Sequence, residues 1–315
     1  LFEVKDVGRS GLPEETTQPH TITKLPLLTD HVTPDSPKYD RWLHTNVVPQ
    51  KQADFFTVFV TLEAGDITAN QLRTLAGAIR ELSAEGVARN TPQQNFAVRY
   101  VQAEDLREFY DRLMSIGLGS SGALTIASAV GCSGTTSCNL AITNSHRLAK
   151  EVQRKFIELG LDTDRDLRDS TIKISGCPNS CGQHEIATIG FFGGASRIGD
   201  MMAPTYTMLF GGSAGEQGEL GRAIMRVPAK RVIETVQEII KIYKTEKQDG
   251  QTLSQWINKI LKGEGTNRVS NVEDMKRFLV QVTQLASVEK EPESYKDYGN
   301  DVKFTAKTAR GECAA

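Results

Sequence analysis

Four of the chain's five cysteines fall in two pairs. Cys132 and Cys138 are spaced C-x5-C, and Cys177 and Cys181 are spaced C-x3-C within Cys177-Pro178-Asn179-Ser180-Cys181. Thiols so arranged can oxidise to disulfides, enclose a zinc ion or ligate an iron–sulfur cluster. Disulfides need an oxidising compartment, and residues 1–30 carry Glu3, Lys5, Asp6, Arg9, Glu14 and Glu15 without the apolar core of a signal peptide. Structural zinc usually takes C-x2–4-C in both halves, which C-x5-C matches poorly. Four thiolates suit a [4Fe–4S] cube, and Cys-Pro recurs in cluster loops. Gly131, Gly134, Gly176 and Gly182 would let backbone N–H groups come close to the sulfides. The spacing favours the cluster, with zinc as the second reading. Cys313, in Gly311-Glu312-Cys313-Ala314-Ala315, reads as an exposed tail thiol, with a partner-facing redox role as the alternative.

The elements that must carry these loops show in the hydrophobic pattern. Residues 1–45 hold five of the eleven prolines and read as an extended arm or linker. Phe56, Val58, Val60 and Leu62 alternate as a strand, and Thr68 with Gln71 forms a capping box. Leu72, Leu75, Ala76, Ile79 and Leu82 then follow helical spacing. Phe96, Val98 and Tyr100 predict a second strand with all three on one face. Leu106, Phe109, Tyr110 and Leu113 predict a second helix, with Gly117 as its C-cap. Residues 46–118 are thus β-α-β-α, half a ferredoxin-like sheet. Gly119-Ser120-Ser121-Gly122 reads as a hinge into a second unit over 119–265. There a helix is expected from about Asn139 to Leu159, strands at Thr171–Ser175 and Tyr206–Phe210, and a helix opened by Pro228. Residues 266–315 form a C-terminal helix, capped by Ser270 and Glu273, and a charged tail. The fold class is α+β.

The 315 residues suggest about two domains at roughly 150 residues each. Hydrophobic residues at 39% and charged residues at 24% exclude a long disordered tail or a collagen-like repeat. A net charge of −2 gives no global field for nucleic acid or anionic membrane. No run of about 18 apolar residues predicts a membrane span. The location expected is cytoplasmic. No G-x-G-x-x-G follows a strand, so electrons must come from outside the chain.

The two cysteine segments, Gly131-Cys132-Ser133-Gly134-Thr135-Thr136-Ser137-Cys138 and Gly176-Cys177-Pro178-Asn179-Ser180-Cys181-Gly182-Gln183, resemble the sirohaem/[4Fe–4S] signature of the nitrite and sulfite reductases. Residues 46–118, with Arg89-Asn90-Thr91-Pro92-Gln93-Gln94-Asn95, resemble that family's ferredoxin-like half-domain. Residues 124–245, including Gly211-Gly212, resemble its larger α/β cluster domain. The resemblance covers roughly 200 residues.

It implies a six-electron reduction of sulfite to sulfide or nitrite to ammonia. Sirohaem would share the Cys181 thiolate with the cluster, and Cys132, Cys138 and Cys177 would hold the other irons. Asn179 would lie near the sirohaem, although it also suits the turn after Pro178. Sirohaem carries carboxylates, for which Arg147, Arg197, Arg222 and Arg226 are candidates. Gly211 and Gly212 fit close approach to the macrocycle, or an ordinary turn; Gln94 and Asn95 fit its edge. His184 is a conceivable proton donor, but reads first as a surface helix residue. Ferredoxin or a flavoprotein is the implied donor, and Lys230-Arg231 with Lys241 and Lys244 is a candidate basic patch. A cluster module without sirohaem is the alternative. Asn179-Ser180 and Gln183 lean towards nitrite-type and mixed bacterial enzymes. Family reductases have two similar halves, and this chain, starting at Leu1, shows one. It therefore reads as the C-terminal half, with the N-terminal half and its substrate-gripping arginines and lysines supplied in cis or in trans.

Overall fold

A computed structural model describes residues 32–214 and 218–305. The described residues form two compact units that divide between Leu124 and Thr125.

The first unit runs α1 (Lys38–Asn46), β1 (Val47–Pro49), β2 (Phe55–Val60), α2 (Ala69–Leu82), β3 (Ala88–Asn90), β4 (Phe96–Gln102) and α3 (Leu106–Ser115). Its antiparallel sheet has the order β1-β2-β4-β3. Helix α1 occupies the end of the stretch expected to be an extended arm. Trp42 and Leu43 are fully buried, and the Trp42 ring sits 5.1 Å from that of Tyr110. Burying one indole outweighs the local signal of the prolines before it. The Thr68–Gln71 capping box forms as expected, and the N–H of Leu118 closes α3 onto the Leu113 carbonyl beyond Gly117.

Strand β4 departs from simple alternation. Val58 pairs with Val98 but Phe56 with Val101, a bulge that puts Tyr100 at φ +56°. Val101 takes the core position, and the Tyr100 ring packs on Phe55 at 5.7 Å. Strand β3 has no apolar alternation because all three residues are exposed, so pattern alone passes over it. The small polar stretch after α3 is not a loose hinge. Ser120 O accepts from Asn46 Nδ2 and Thr61 Oγ1, both at 3.1 Å, and the Gly122 N–H donates to Thr45 Oγ1 at 2.8 Å.

Burial alone would push the Glu85 carboxyl up, but hydrogen bonds and charge from Arg89 and Arg99 outweigh it and bring it down to about 2. A carboxylate with a depressed folded pKa stabilises the fold above its unfolded value, here 4.5, and that contribution fades as pH falls towards 2. Glu85→Gln is therefore expected to lower the thermal midpoint of the metal-free chain at pH 6 and to lose that effect progressively below pH 4.5. A midpoint difference that is independent of pH would contradict the assignment.

The second unit runs β5 (Val130–Gly131), α4 (Ser145–Glu158), β6 (Ile172–Ser175), β7 (Ile189–Ile198), β8 (Met201–Phe210), β9 (Arg222–Pro228), α5 (Val232–Glu246), α6 (Leu253–Lys262) and α7 (Val272–Thr283). Its five strands lie in chain order. The β5–β6 and β6–β7 pairs are parallel and the other two antiparallel. Helix α4 starts at Ser145 with Asn144 as cap, later than the expected Asn139. Asn271, not Ser270, caps α7. Pro228 ends β9 and opens the helical stretch as expected, through a 3-10 turn at Ala229–Arg231 that continues into α5 at Val232. Strand β7, which the sequence did not predict, runs straight through Gly193-Gly194. No described helix is long and apolar enough to cross a membrane.

Candidate metal centre

Strands β5 and β6 lie side by side and parallel, with Val130 opposite Lys173 and Gly131 opposite Ile174. The chain leaves both strands at the same edge, with α4 between them in sequence. Cys132 follows the last residue of β5, and Cys177 follows β6 by one glycine. Ligands of open α/β sheets gather beyond the carboxyl ends of parallel strands for this geometric reason. The two loops are also tied to each other. The Cys132 N–H donates to Ile174 O at 3.1 Å, and the Gly176 N–H donates to Cys132 Sγ at 3.1 Å. Gly176 O in turn accepts from Ile142 N and Thr143 N at 2.9 and 3.1 Å.

The flanking glycines are required by this close packing of backbone on backbone. A Cβ on Gly176 would stand 2.7 Å from Thr143 O, and one on Gly182 would stand 2.2 Å from Ile174 O.

All four cysteines are free thiols, so the disulfide reading is set aside. Cys177 is buried, Cys132 and Cys138 are half-buried and Cys181 is exposed. Burial pushes the Cys177 thiol up, a hydrogen bond from the Asn179 backbone pulls it down, and charge on Cys132, Cys138 and Cys181 raises it again. The four sulfurs thus share one electrostatic neighbourhood. Among the described residues, no three His, Cys, Asp or Glu side chains are grouped to hold a single metal ion. The donors suit a cluster in kind: four soft thiols carried by two adjoining loops, with the Gly176 N–H directed at the Cys132 sulfur.

The turn that carries Cys181 is clamped from below. Ser180 and Gln183 both adopt left-handed backbone, at φ +59° and +60°. On one face of β6, Ser175 Oγ accepts from Gly182 N at 3.0 Å and lies 2.8 Å from His184 Nδ1. Two residues back on that face, Lys173 Nζ donates to Gln183 Oε1 at 2.6 Å. His184 is therefore a buried structural residue and not a surface one. Burial pulls its pKa down, against a small upward pull from Glu185. Lys173, whose pKa burial also lowers, was passed over in the sequence. Its signal is a lysine between Ile172 and Ile174, where an apolar strand has no need of one.

The remaining candidates are placed as follows. Asn179 is exposed on the Cys177–Cys181 turn. Gly211 packs its backbone against Leu261 and Asn258, and Gly212 packs against the 185–187 backbone. Arg147, Arg197, Arg222 and Arg226 are all exposed, with Arg222 Nη1 3.5 Å from Leu261 O. Gln94 and Asn95 belong to the first unit, where the buried Asn95 Oδ1 accepts from Leu62 N at 2.9 Å. The basic patch does not present open cations. Arg231 pairs with Glu234 and Glu291, Lys241 with Glu238, and Lys244 with Asp164 and Asp166. Lys230 lies over the Tyr298 ring. Cys313 lies outside the described residues.

Two family models match the chain. The nitrite/sulfite reductase ferredoxin-like half domain covers residues 48–116, and the nitrite and sulphite reductase 4Fe-4S domain covers residues 122–261. The chain belongs to the nitrite and sulfite reductase family. A [4Fe–4S] cluster and sirohaem, the cofactors expected from the sequence, are those of this family. Among similar family members, the ferredoxin–nitrite reductase of Synechococcus elongatus is 29% identical over 179 residues, covering 57% of this chain and 34% of that protein. Sulfite reductase [ferredoxin] 1 of Mycolicibacterium paratuberculosis is 24% identical over 200 residues, covering 61% and 35%. The chain therefore spans about a third of the length of these curated relatives. The NirA protein of Mycobacterium tuberculosis shares the fold, with a TM-score of 0.59 at 22% identity over 74% of this chain and 41% of that one.

Proposed function

We propose that this chain is the cluster-bearing C-terminal half of a reductase that converts sulfite to sulfide or nitrite to ammonia. The observation that carries the reading is the placement of Cys132 and Cys177 at the carboxyl ends of adjacent parallel strands, with Cys138 and Cys181 in the same electrostatic neighbourhood. Cys132, Cys138 and Cys177 hold three corners of a [4Fe–4S] cluster. Cys181, the exposed thiol, would hold the fourth and would be the ligand shared with sirohaem. When bound, the coupled pair supplies single electrons to the anion in succession.

The chain's own part is to fix and shield these groups. Ser175 and Lys173 hold the Cys181 turn, and burial of Cys177 keeps water from its sulfur. Asn179, Gly211, Gly212 and Arg222 would face the sirohaem; Gln94 and Asn95 are the candidates within the half-domain. The residues that grip the substrate belong to the N-terminal half, in cis or in trans. Ferredoxin or a flavoprotein delivers the electrons, in the cytoplasm. Both substrates stay within the reading because relatives of each kind match with similar identity.

The test is an anaerobic visible spectrum of the 315-residue chain made with sirohaem synthesis enabled. A sirohaem Soret band over broad cluster absorption is expected. Cluster absorption alone, unchanged after the N-terminal half is added, would reduce the chain to an electron carrier. Zinc without acid-labile sulfide would overturn the reading.

A further inference from the structure

Cys132 differs from the other three cysteines in what surrounds its sulfur. Its Sγ accepts the Gly176 N–H at 3.1 Å and also lies 3.1 Å from Ser145 Oγ. The same hydroxyl lies 2.9 Å from Cys132 O, to which it donates. A serine hydroxyl has one proton, so here it has two competing acceptors. Negative charge on the sulfur favours the sulfur as acceptor, because charge-assisted hydrogen bonds are the stronger ones. Ser145 is fully buried, so no water competes for that proton.

The position of Ser145 is fixed from far away in the chain. It is the first residue of α4, and its neighbour Asn144 is pinned on both sides. Asn144 Oδ1 accepts from Arg147 N and from Thr136 Oγ1, at 3.1 and 3.0 Å. The Asn144 N–H donates to Asp297 Oδ2 at 2.7 Å, across 153 residues of sequence. Asp297 is 2% exposed, and its Oδ1 takes the Tyr298 N–H at 2.9 Å. The segment that carries it is anchored by the Arg231–Glu291 ion pair, by Tyr295 Oη on Ala286 O at 2.8 Å and by Lys230 over Tyr298. This segment lies beyond the residues 122–261 that the 4Fe-4S family model covers.

We propose that Ser145 is a positioning residue that raises the reduction potential of the cluster through its hydroxyl hydrogen bond to the Cys132 sulfur, and that Asp297 holds it there. The inference rests on the four cysteines being cluster ligands. A donor to a ligand sulfur stabilises the more negative, reduced state more than the oxidised one, which moves the midpoint upward. In its ionised form the Asp297 carboxylate would act in the opposite direction, as any nearby anion does. The two residues can therefore be told apart by sign.

The test is a redox titration of the cluster-loaded chain followed by electron paramagnetic resonance, with iron and sulfide content measured on each sample. Ser145→Ala is expected to shift the midpoint downward, and Ser145→Thr, which keeps the hydroxyl, to restore it. Asp297→Ala is expected to shift it downward too, although loss of a negative charge alone would shift it upward. An unchanged midpoint in a fully loaded Ser145→Ala chain overturns the proposal for Ser145. An upward shift in Asp297→Ala overturns the positioning role of Asp297.

The unmodified chain provides a reading that needs no folded variant. Brief exposure to D2O should shift an Fe–Sγ stretch in the resonance Raman spectrum, because the hydroxyl exchanges faster than buried amides. No shift overturns the hydrogen bond. An unmodified chain that binds no cluster at all would instead refute the proposed function.

Discussion

A Cys181→Ser chain purified without oxygen is expected to lose the shared sirohaem–cluster signal outright, together with most of its cluster iron. The serine oxygen is a harder and shorter donor than the thiolate, and it starts from a far higher pKa. Cys181 is also the exposed member of the four, so nothing buried would hold a weakened ligand in place. Its turn is rigid in the fold, with two left-handed residues and the Ser175 and Lys173 clamps, so a longer or shifted bond cannot be absorbed by moving the backbone. The readouts are iron and acid-labile sulfide per chain, and the coupled spectrum. A variant that kept the coupled signal would remove Cys181 from the bridging position and leave the other three assignments standing.

Gly193→Ala is expected to unfold the second unit at a markedly lower temperature and to leave the chain unable to retain a cluster. Strand β7 passes so close to the cysteine loops at this point that an added Cβ would stand 2.0 Å from Thr143 Oγ1 and 2.4 Å from Gly176 O. Gly176 O is the atom that accepts both Ile142 N and Thr143 N. The methyl group therefore pries apart the hinge point of the two loops. Overpacking of this kind costs about 1–3 kcal/mol, and the collision here includes the Gly176 backbone, which yields less readily than a side chain. Thermal unfolding followed by circular dichroism, with iron content measured in parallel, checks both parts. Gly194→Ala is the control, because its Cβ would meet only Thr205 Oγ1 at an ordinary 3.8 Å. Equal behaviour of the two variants would contradict the argument.

What could be read from the sequence follows the kind of signal each element leaves. The cysteine pairs and the stripe of α3 are local patterns and stand as read, whereas α2 buries Leu75, Ile79 and Leu82 with Ala78 and leaves the expected Leu72 exposed. Helix α1 was hidden because prolines dominate its surroundings, while its buried face is little more than Trp42 and Leu43. Strand β7 is absent from the sequence expectation, since glycines such as Gly193 and Gly194 weaken a strand considered alone. Only the three-dimensional crossing with Gly176 explains it. His184 and Lys173 were misjudged or missed for the same reason. Both are polar residues made tolerable inside by specific partners, Ser175 and Gln183, which periodicity does not reveal. Asp297 lay in what reads as a charged tail, and its burial depends on Asn144, far away in sequence.

That contact has a temporal side as well. A ribosome delivers Asn144 153 residues before the carboxylate that fixes it. All four cysteines, both parallel strands and the loops between them are therefore available for some time in a chain that still lacks its anchor. A maturation factor that inserts iron and sulfide during synthesis would meet a site with Ser145 not yet held. One that acts on the finished chain would meet it set. The segment around Asp297 thus reaches its place only after the whole cysteine site has been made.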